Sequence, residues 1–373
     1  MKLFIEPNDV LMFRDGRPFA GGDDHFARGI FPPSPATIYG ALRSHILSNH
    51  WSEFNKFKNN QDQIPENVKK EIGTPGDLGS LALCQITLAR KNGNGVEQIF
   101  PMPKDAVKEK GSDDGKLYML MPANLSGSKT MTDMPNGLSN MWVSSEKPME
   151  VVTGFLSSKE IGEYLLGNSP SSAIKLQDVF ETEERTGVKK SRMTRSVETG
   201  RLYSVEYFRL KENTGFAVEV DNTKLLPESG ILRLGGDNRS ARYASDLWTE
   251  ISVEPIKKKI TETKRFKLML TTPAIFKKGW LPDWINADTK QGQINGINVK
   301  LTGACIGKPI GIGGYDFVKN QPKVMKKAVS AGSVYYFEIA EGDVDSLFKN
   351  VWLKSISDEK TQEGFGITLI GGY

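Results

Sequence analysis

Two arginines flank a tight-turn dipeptide in Phe13-Arg14-Asp15-Gly16-Arg17-Pro18-Phe19. Asp-Gly favours a turn, so Arg14 and Arg17 come close together. Two guanidinium forks at a turn can hold a phosphate bidentately. The competing reading, an exposed turn whose arginines pair with local acids, is the stronger on chemistry alone. A second basic run holds Arg185, Lys189, Lys190, Arg192, Arg195 and Arg201, with Glu198 the acid among them. Local positive charge of this density suits an RNA or DNA backbone, although a solvated charged loop is its usual origin. Its Thr, Ser and Gly content predicts a mobile loop. Tyr203, Val205 and Tyr207 alternate onto one strand face, where tyrosines can stack bases or contact a helix of the same domain.

Glycines form two clusters. Gly303, Gly307, Gly311, Gly313 and Gly314 make the first; Gly364, Gly366, Gly371 and Gly372 make the second. Glycine loops bring backbone N–H groups to phosphates without Cβ obstruction. Neither cluster spells a dinucleotide fingerprint, because Asp316 stands where a third glycine is needed. Gly307-Lys308 is followed by Pro309, which excludes a Walker loop. Ordinary turn and bulge glycines remain a good alternative. Of the three histidines, His45 shares a helical face with Ile38 and reads as packed, and His50 reads as a helix-end residue. His25 is the one to test as a general base. Scattered His and Cys make no metal site.

These residues need elements to hold them. Residues 2–6 read as a strand. A turn-rich loop follows from Pro7 to Pro33. Ser34-Pro35 marks a helix start, with Ser as N-cap and Pro at the first helical position. Ile38, Leu42 and Ile46 give that helix an apolar face, with Tyr39 and Arg43 one turn apart at its edge. Gly40 lies mid-helix, which suggests close approach by a backbone or ligand. Residues 52–76 read as a polar surface insertion and 104–116 as loop. Leu81–Ala89 and Val96–Phe100 form a hairpin around Asn92-Gly93-Asn94-Gly95. Ser157-Ser158-Lys159-Glu160 reads as a capping box. Further strands are expected at 202–210, 216–221, 265–271, 297–302 and 333–339, with a helix near 343–348 and a glycine-bracketed strand at the end. Lys257-Lys258-Lys259 reads as a linker between two α+β units with antiparallel sheets.

The chain has 373 residues, 49 Lys and Arg against 45 Asp and Glu, and two cysteines. Length suits two domains. A net charge of +4 announces no bulk nucleic-acid affinity, so any basic surface is local. Cys84 and Cys305 make no disulfide scaffold and fit a reducing, cytoplasmic setting. No apolar run reaches the ~18 residues of a membrane span.

Taken in order, several pieces resemble the Cmr subunit three family, RAMP-superfamily proteins of type III-B CRISPR effector complexes. They are Phe13–Phe19, then Phe31-Pro32-Pro33-Ser34-Pro35 leading into Tyr39-Gly40-Ala41-Leu42-Arg43. Phe100-Pro101-Met102-Pro103-Lys104-Asp105, Arg185-Thr186-Gly187-Val188, Gly200-Arg201-Leu202-Tyr203-Ser204, Leu234-Gly235-Gly236 with Arg239, and the glycine-bracketed C-terminus follow. The resemblance implies an α+β fold of two ferredoxin-like (RRM-like) domains, 1–256 with insertions at about 52–76 and 104–200, and 260–373. It implies a non-catalytic subunit holding the 5′ tag of the guide crRNA, without cofactor or metal. Partners would be the large polymerase-like Cmr subunit and a backbone RAMP subunit, with no membrane and no homo-oligomer. The implied RNA-facing residues are Arg14, Arg17, Ser34, Tyr39 and Arg43, then Arg185, Lys189, Lys190, Arg192 and Arg195. From the glycine loops come Gly313, Gly314, Gly364, Gly366 and Gly371, with the choice between the two clusters left open. The rival expectation is a metal-independent endoribonuclease acting on repeat RNA, with His25 as base.

Overall fold

The structure, a computed structural model, describes residues 1–14, 26–50, 54–59, 63–93, 95–111, 116–123, 137–190, 193–194, 196–316 and 318–373; at 27, 54–56, 189–190 and 197–202 it describes the backbone alone. Arg17, His25, Arg192 and Arg195 lie outside the described residues.

The N-terminal half opens with strand β1 (Lys2–Pro7) and helix α1 (Pro35–His50). Helix α2 (Glu66–Ile72), the hairpin β2 (Ala82–Asn92) and β3 (Gly95–Pro101), strand β4 (Phe155–Ser157) and helix α3 (Ser158–Leu165) follow. Then come β5 (Phe180–Lys190), β6 (Val197–Leu210), β7 (Thr214–Asp221), β8 (Ser229–Arg233) and β9 (Ser240–Ser245). Seven of these strands form one antiparallel sheet ordered β4-β3-β2-β7-β1-β9-β8. Central strand β1 is buried on both faces. Leu3 and Ile5 join Ile38, Leu42 and Ile46 of α1 in one core, while Phe4 joins Ala217 and Trp248 on the other side.

Helix α4 (Glu254–Thr263) leads into β10 (Arg265–Leu270), β11 (Gln291–Ile294), β12 (Ile297–Cys305), β13 (Val334–Glu341), helix α5 (Val344–Val351) and β14 (Thr368–Gly372). These strands make a second antiparallel sheet, β11-β12-β13-β10-β14. The fold is thus mixed α/β, with several antiparallel sheets and few helices.

Several expectations need correction. Lys257–Lys259 lie inside α4, not in a linker: Ile256 and Ile260, one turn apart, are buried and hold the helix down. The polar segment 52–76 contains α2, which buries Val68 and Ile72. Segment 104–116 contains a strand, Ala106–Glu109. Ser157 does cap α3, accepting from the Glu160 N–H at 3.3 Å, but the Glu160 carboxylate turns to Ser171 instead of closing the box. Among the described residues nothing beyond helix α1 itself comes within 4 Å of where a Gly40 Cβ would lie, so no described backbone approaches there.

Residues 100–119 and 152–165 bury Phe100, Met102, Leu117, Leu156 and Tyr164 in the same cluster as the C-terminal sheet. At its centre Asp105 is fully buried and accepts hydrogen bonds from the hydroxyls of Tyr164, at 2.8 Å, and Tyr336. Lys267, also fully buried, stands 3.4 Å over the Tyr164 ring. Burial raises the Asp105 carboxyl and lowers the Lys267 ammonium to about 8, and each charge partly offsets the other's shift.

Candidate nucleic-acid interface

The strand expected at 202–210 is present, but where a mobile loop was expected over 185–201, residues 185–190 and 197–201 belong to the two paired strands of a hairpin. β5 and β6 pair from Phe180↔Leu210 to Val188↔Leu202, with Lys190 opposite Val197. The strand-forming signal comes from β6, whose Tyr203, Val205, Tyr207 and Phe208 are good β-formers. Gly187 faces Tyr203, and a Cβ there would sit 2.5 Å from its ring. Glycine is what lets that ring lie across the strand. Tyr203 is partly exposed, whereas Val205 and Tyr207 are buried.

The hairpin holds the first loop. Leu11 and Phe208 exchange backbone hydrogen bonds, both 2.8 Å. The Gly29 N–H donates to Glu206 Oε2 at 2.7 Å, and Phe26–Ala27 runs parallel to Ser204–Val205. Arg14 bridges Gly29, and the Ile30 N–H donates to the Phe13 carbonyl at 2.8 Å. The two ends of the loop that carries Arg17 and His25 are therefore fixed on the hairpin. The Phe31 ring seals this base, 4.3 Å from the Phe180 centroid and 5.2 Å from that of Phe208. The Gly236 N–H donates to the Met12 carbonyl at 2.8 Å and brings the turn 234–239 alongside. Gly235 needs its φ of +81° there, and the Met12 carbonyl would meet any Cβ at 2.5 Å.

A chain of charges covers this junction. Glu183 pairs with Arg185 (2.6 Å) and Arg209 (2.9 Å). Asp9 pairs with Arg209 (3.2 Å) and Arg239 (3.1 Å), and Asp237 pairs with Arg239 (3.2 Å). The Tyr207 hydroxyl donates to Asp237 at 3.0 Å, and the guanidinium groups of Arg185 and Arg239 stand 5.0 and 4.9 Å from its ring centroid. Hydrogen bonds from Arg185 and Arg209 hold the Glu183 carboxyl below its ordinary value. Three arginines thus face three carboxylates. Such exposed pairs are each worth at most about 1 kcal/mol, so a phosphate can exchange for a carboxylate with little net loss. Arg209 and Arg239 were not among the expected site residues; Arg209 continues the 203, 205, 207 alternation, which is the signal that marks it.

Other expected site residues fall elsewhere. Tyr39 is 2% exposed and its hydroxyl donates to the Leu78 carbonyl at 3.0 Å; burial pushes that hydroxyl up to about 12. Arg43 donates to the carbonyls of Ile72, Thr74 and Asp77 at 2.6, 2.6 and 2.8 Å. Both residues clasp the turn after α2 rather than the hairpin. Ser34 precedes α1 as expected, but its Oγ is buried without a hydrogen-bond partner among the described residues and does not cap. Ala36, in the first turn of α1, packs against Ile275, Ile312, Ala328 and Phe365 of the C-terminal half.

The glycine clusters separate. Gly364, Gly366 and Gly371 are buried. A Cβ on Gly366 would meet the Ser357 backbone nitrogen at 2.6 Å, and one on Gly371 would meet the Leu165 backbone at 3.0 Å. Close packing explains these glycines, and they present no surface loop. Gly314 is exposed and Gly313 half-buried, in a hairpin described below. His45 is half-buried and hydrogen-bonded to the Tyr243 hydroxyl at 2.9 Å, as a packed residue. Among the described residues no three His, Cys, Asp or Glu side chains gather as a metal site, and no helix is long and apolar enough to cross a membrane.

The chain is 24% identical over 251 residues to the CRISPR system CMR subunit Cmr3 of Saccharolobus solfataricus; the match covers 66% of this chain and 63% of that protein, less than two thirds of its length. Chains in two cryo-EM structures of the type III-B Cmr-beta complex superpose with a TM-score of 0.51. One is bound to cognate target RNA and AMPPnP, at 17% identity, and the other to cognate target RNA, at 19%; each covers 90% of this chain and 86% of the other. These structures share the fold. The model of one family, described as CRISPR-associated protein (Cas_Cmr3), matches residues 3–373, and the chain belongs to that family.

Proposed function

We propose that this protein is a non-catalytic RNA-binding subunit of a type III-B CRISPR effector complex. In this reading it holds the 5′ tag of the guide crRNA and bridges the large polymerase-like subunit to a backbone RAMP subunit in the cytoplasm. One observation carries the proposal: the arginine loop, the basic hairpin and the Gly-Gly-x-x-Arg turn, far apart in sequence, share one base at Met12, Gly29 and Phe208. Gripping a phosphodiester there takes guanidinium forks and backbone N–H groups and requires no acid–base pair.

Sheet order supports a second part of the reading, two ferredoxin-like domains at 1–256 and 260–373. In both sheets the first, second, third and fourth principal strands lie in the spatial order fourth-first-third-second: β9-β1-β7-β2 and β14-β10-β13-β12. Each half retains one helix of a split β-α-β unit, α1 in the first and α5 in the second.

Incubating the purified chain with labelled repeat RNA in EDTA tests this. The RNA is expected to be retained uncut. Neutralising about six phosphates gives a log–log salt slope of about −4 for a single strand. A discrete cut that disappears in His25→Ala would replace the proposal with the endoribonuclease reading.

A further inference from the structure

A second basic hairpin rises from the C-terminal half. Ile310–Ile312 pairs with Lys326–Ala328, and Tyr315–Asp316 pairs with Gln321–Pro322. The Lys323 N–H closes onto the Gly314 carbonyl at 2.9 Å. Residues 308–328 contain five lysines and one acid, Asp316. Lys326 is paired with Glu359. Lys308, Lys319, Lys323 and Lys327 are exposed, and among the described residues none of them forms an ion pair within 4 Å.

This is the reverse of the first hairpin. There the described arginines are matched by Glu183, Asp9 and Asp237; here four exposed lysines stand against one carboxylate of the segment, Asp316. Asp316 is the one acid set against them: it lies near enough to Lys319 and Lys323 for their charges to help lower its carboxyl, and its Oδ1 accepts the Val318 and Lys319 N–H groups, both at 3.0 Å, which braces the turn. The hairpin also exposes a ring, Tyr315 at 45%. That ring is held in place by a 2.9 Å hydrogen bond from its hydroxyl to Asn320. Gly314 is exposed, and the nearest atom to where its Cβ would lie is Lys323 Cδ at 3.6 Å, whereas Met325 Sδ covers Gly311 at 3.1 Å. Ile312 and Ala328 at its base pack with Ala36, five residues beyond the Phe31 that seals the first hairpin.

We infer that the hairpin 308–328 is a second nucleic-acid arm, in which Lys319, Lys323 and Lys327 take phosphates of a single-stranded RNA and Tyr315 stacks a base. This deepens the proposed function and rests on it. An excess of lysines over carboxylates beside a fixed aromatic ring and a glycine-bearing backbone forms the combination that single strands need. An acidic protein surface would use the lysines but has no use for the stacking face.

The test uses the full chain and a fluorescent single-stranded RNA carrying the repeat-derived 5′ end, titrated across salt. The triple variant Lys319→Gln, Lys323→Gln, Lys327→Gln is expected to lower the log–log salt slope by about 2 and to bind about 100-fold more weakly at 0.1 M salt, from ~0.7 counterions per phosphate. Tyr315→Ala is expected to bind about tenfold more weakly with the slope unchanged, as a lost stacking contact does. A control triple at exposed lysines outside both hairpins, Lys110, Lys349 and Lys354 changed to Gln, is expected to keep the wild-type slope. All variants sit on the surface, and matching thermal melts show that they fold. If wild type binds RNA and the hairpin triple binds it equally well, this inference falls and the proposed function stands. If the triple instead loses only a protein neighbour, the arm docks an acidic protein and the inference also falls. If wild type binds no RNA, both fall.

Discussion

Changing Arg14, Arg17 and Arg185 together to Ala is expected to weaken single-stranded RNA binding about 100-fold at 0.1 M salt. It should also flatten the log–log salt slope by about 2, because three phosphates lose their cations. Arg14 stands where the loop joins the hairpin, bridged to Gly29. Arg185 reaches over the Tyr207 ring from the facing strand. Glu183 holds Arg185 in the absence of RNA. The Arg185–Glu183 pair is surface-exposed, so breaking it costs little against a bidentate phosphate contact. The melting temperature should change by only a few degrees, since Arg14 is exposed and Arg185 half-exposed. Fluorescence anisotropy against salt reads both numbers, and an unchanged slope would remove the loop and hairpin from the interface.

Arg43→Ala is expected to behave in the opposite way. Its half-buried guanidinium is tied to three carbonyls of residues 72–77, and its ring neighbour is Phe57 at 6.0 Å. Hydrogen bonds from a charged donor contribute about 1.5–3 kcal/mol each, and orphaned carbonyls add a desolvation cost. Their effects overlap, so the expected destabilisation is about 3 kcal/mol in a urea melt. Arg43→Lys should recover only part of it, because one ammonium cannot span the fork geometry. RNA affinity measured under folding conditions should stay within about threefold. A stable Arg43→Ala protein that no longer binds RNA would return Arg43 to the interface.

The sequence made some of this legible and hid the rest for identifiable reasons. Helix α1 was visible because Ile38, Leu42 and Ile46 repeat at one-turn spacing and are all fully buried. The hairpin β2–β3 was visible through its turn residues. The strand β5, Phe-Glu-Thr-Glu-Glu-Arg-Thr-Gly-Val-Lys-Lys, was not: it has almost no apolar alternation and exists through its ladder to β6. The role of Arg43 depends on carbonyls 29–34 residues away that carry no side-chain signature. The C-terminal glycines looked like a phosphate loop, yet Gly371 is there because α3 presses on β14 at Leu165. The lysines of 308–328 carry no signal in the sequence because the charge balance that matters is local in space. Glu359 pairs with Lys326, which leaves four exposed lysines against Asp316.

Crosslinking a photoreactive single-stranded RNA to the purified chain, followed by peptide mapping, addresses the central claim most directly. Crosslinks are expected within 11–31, 185–209 and 234–239, the three segments that meet at Met12, Gly29 and Phe208. Crosslinks confined to other faces, or a chain that captures no RNA, would contradict it.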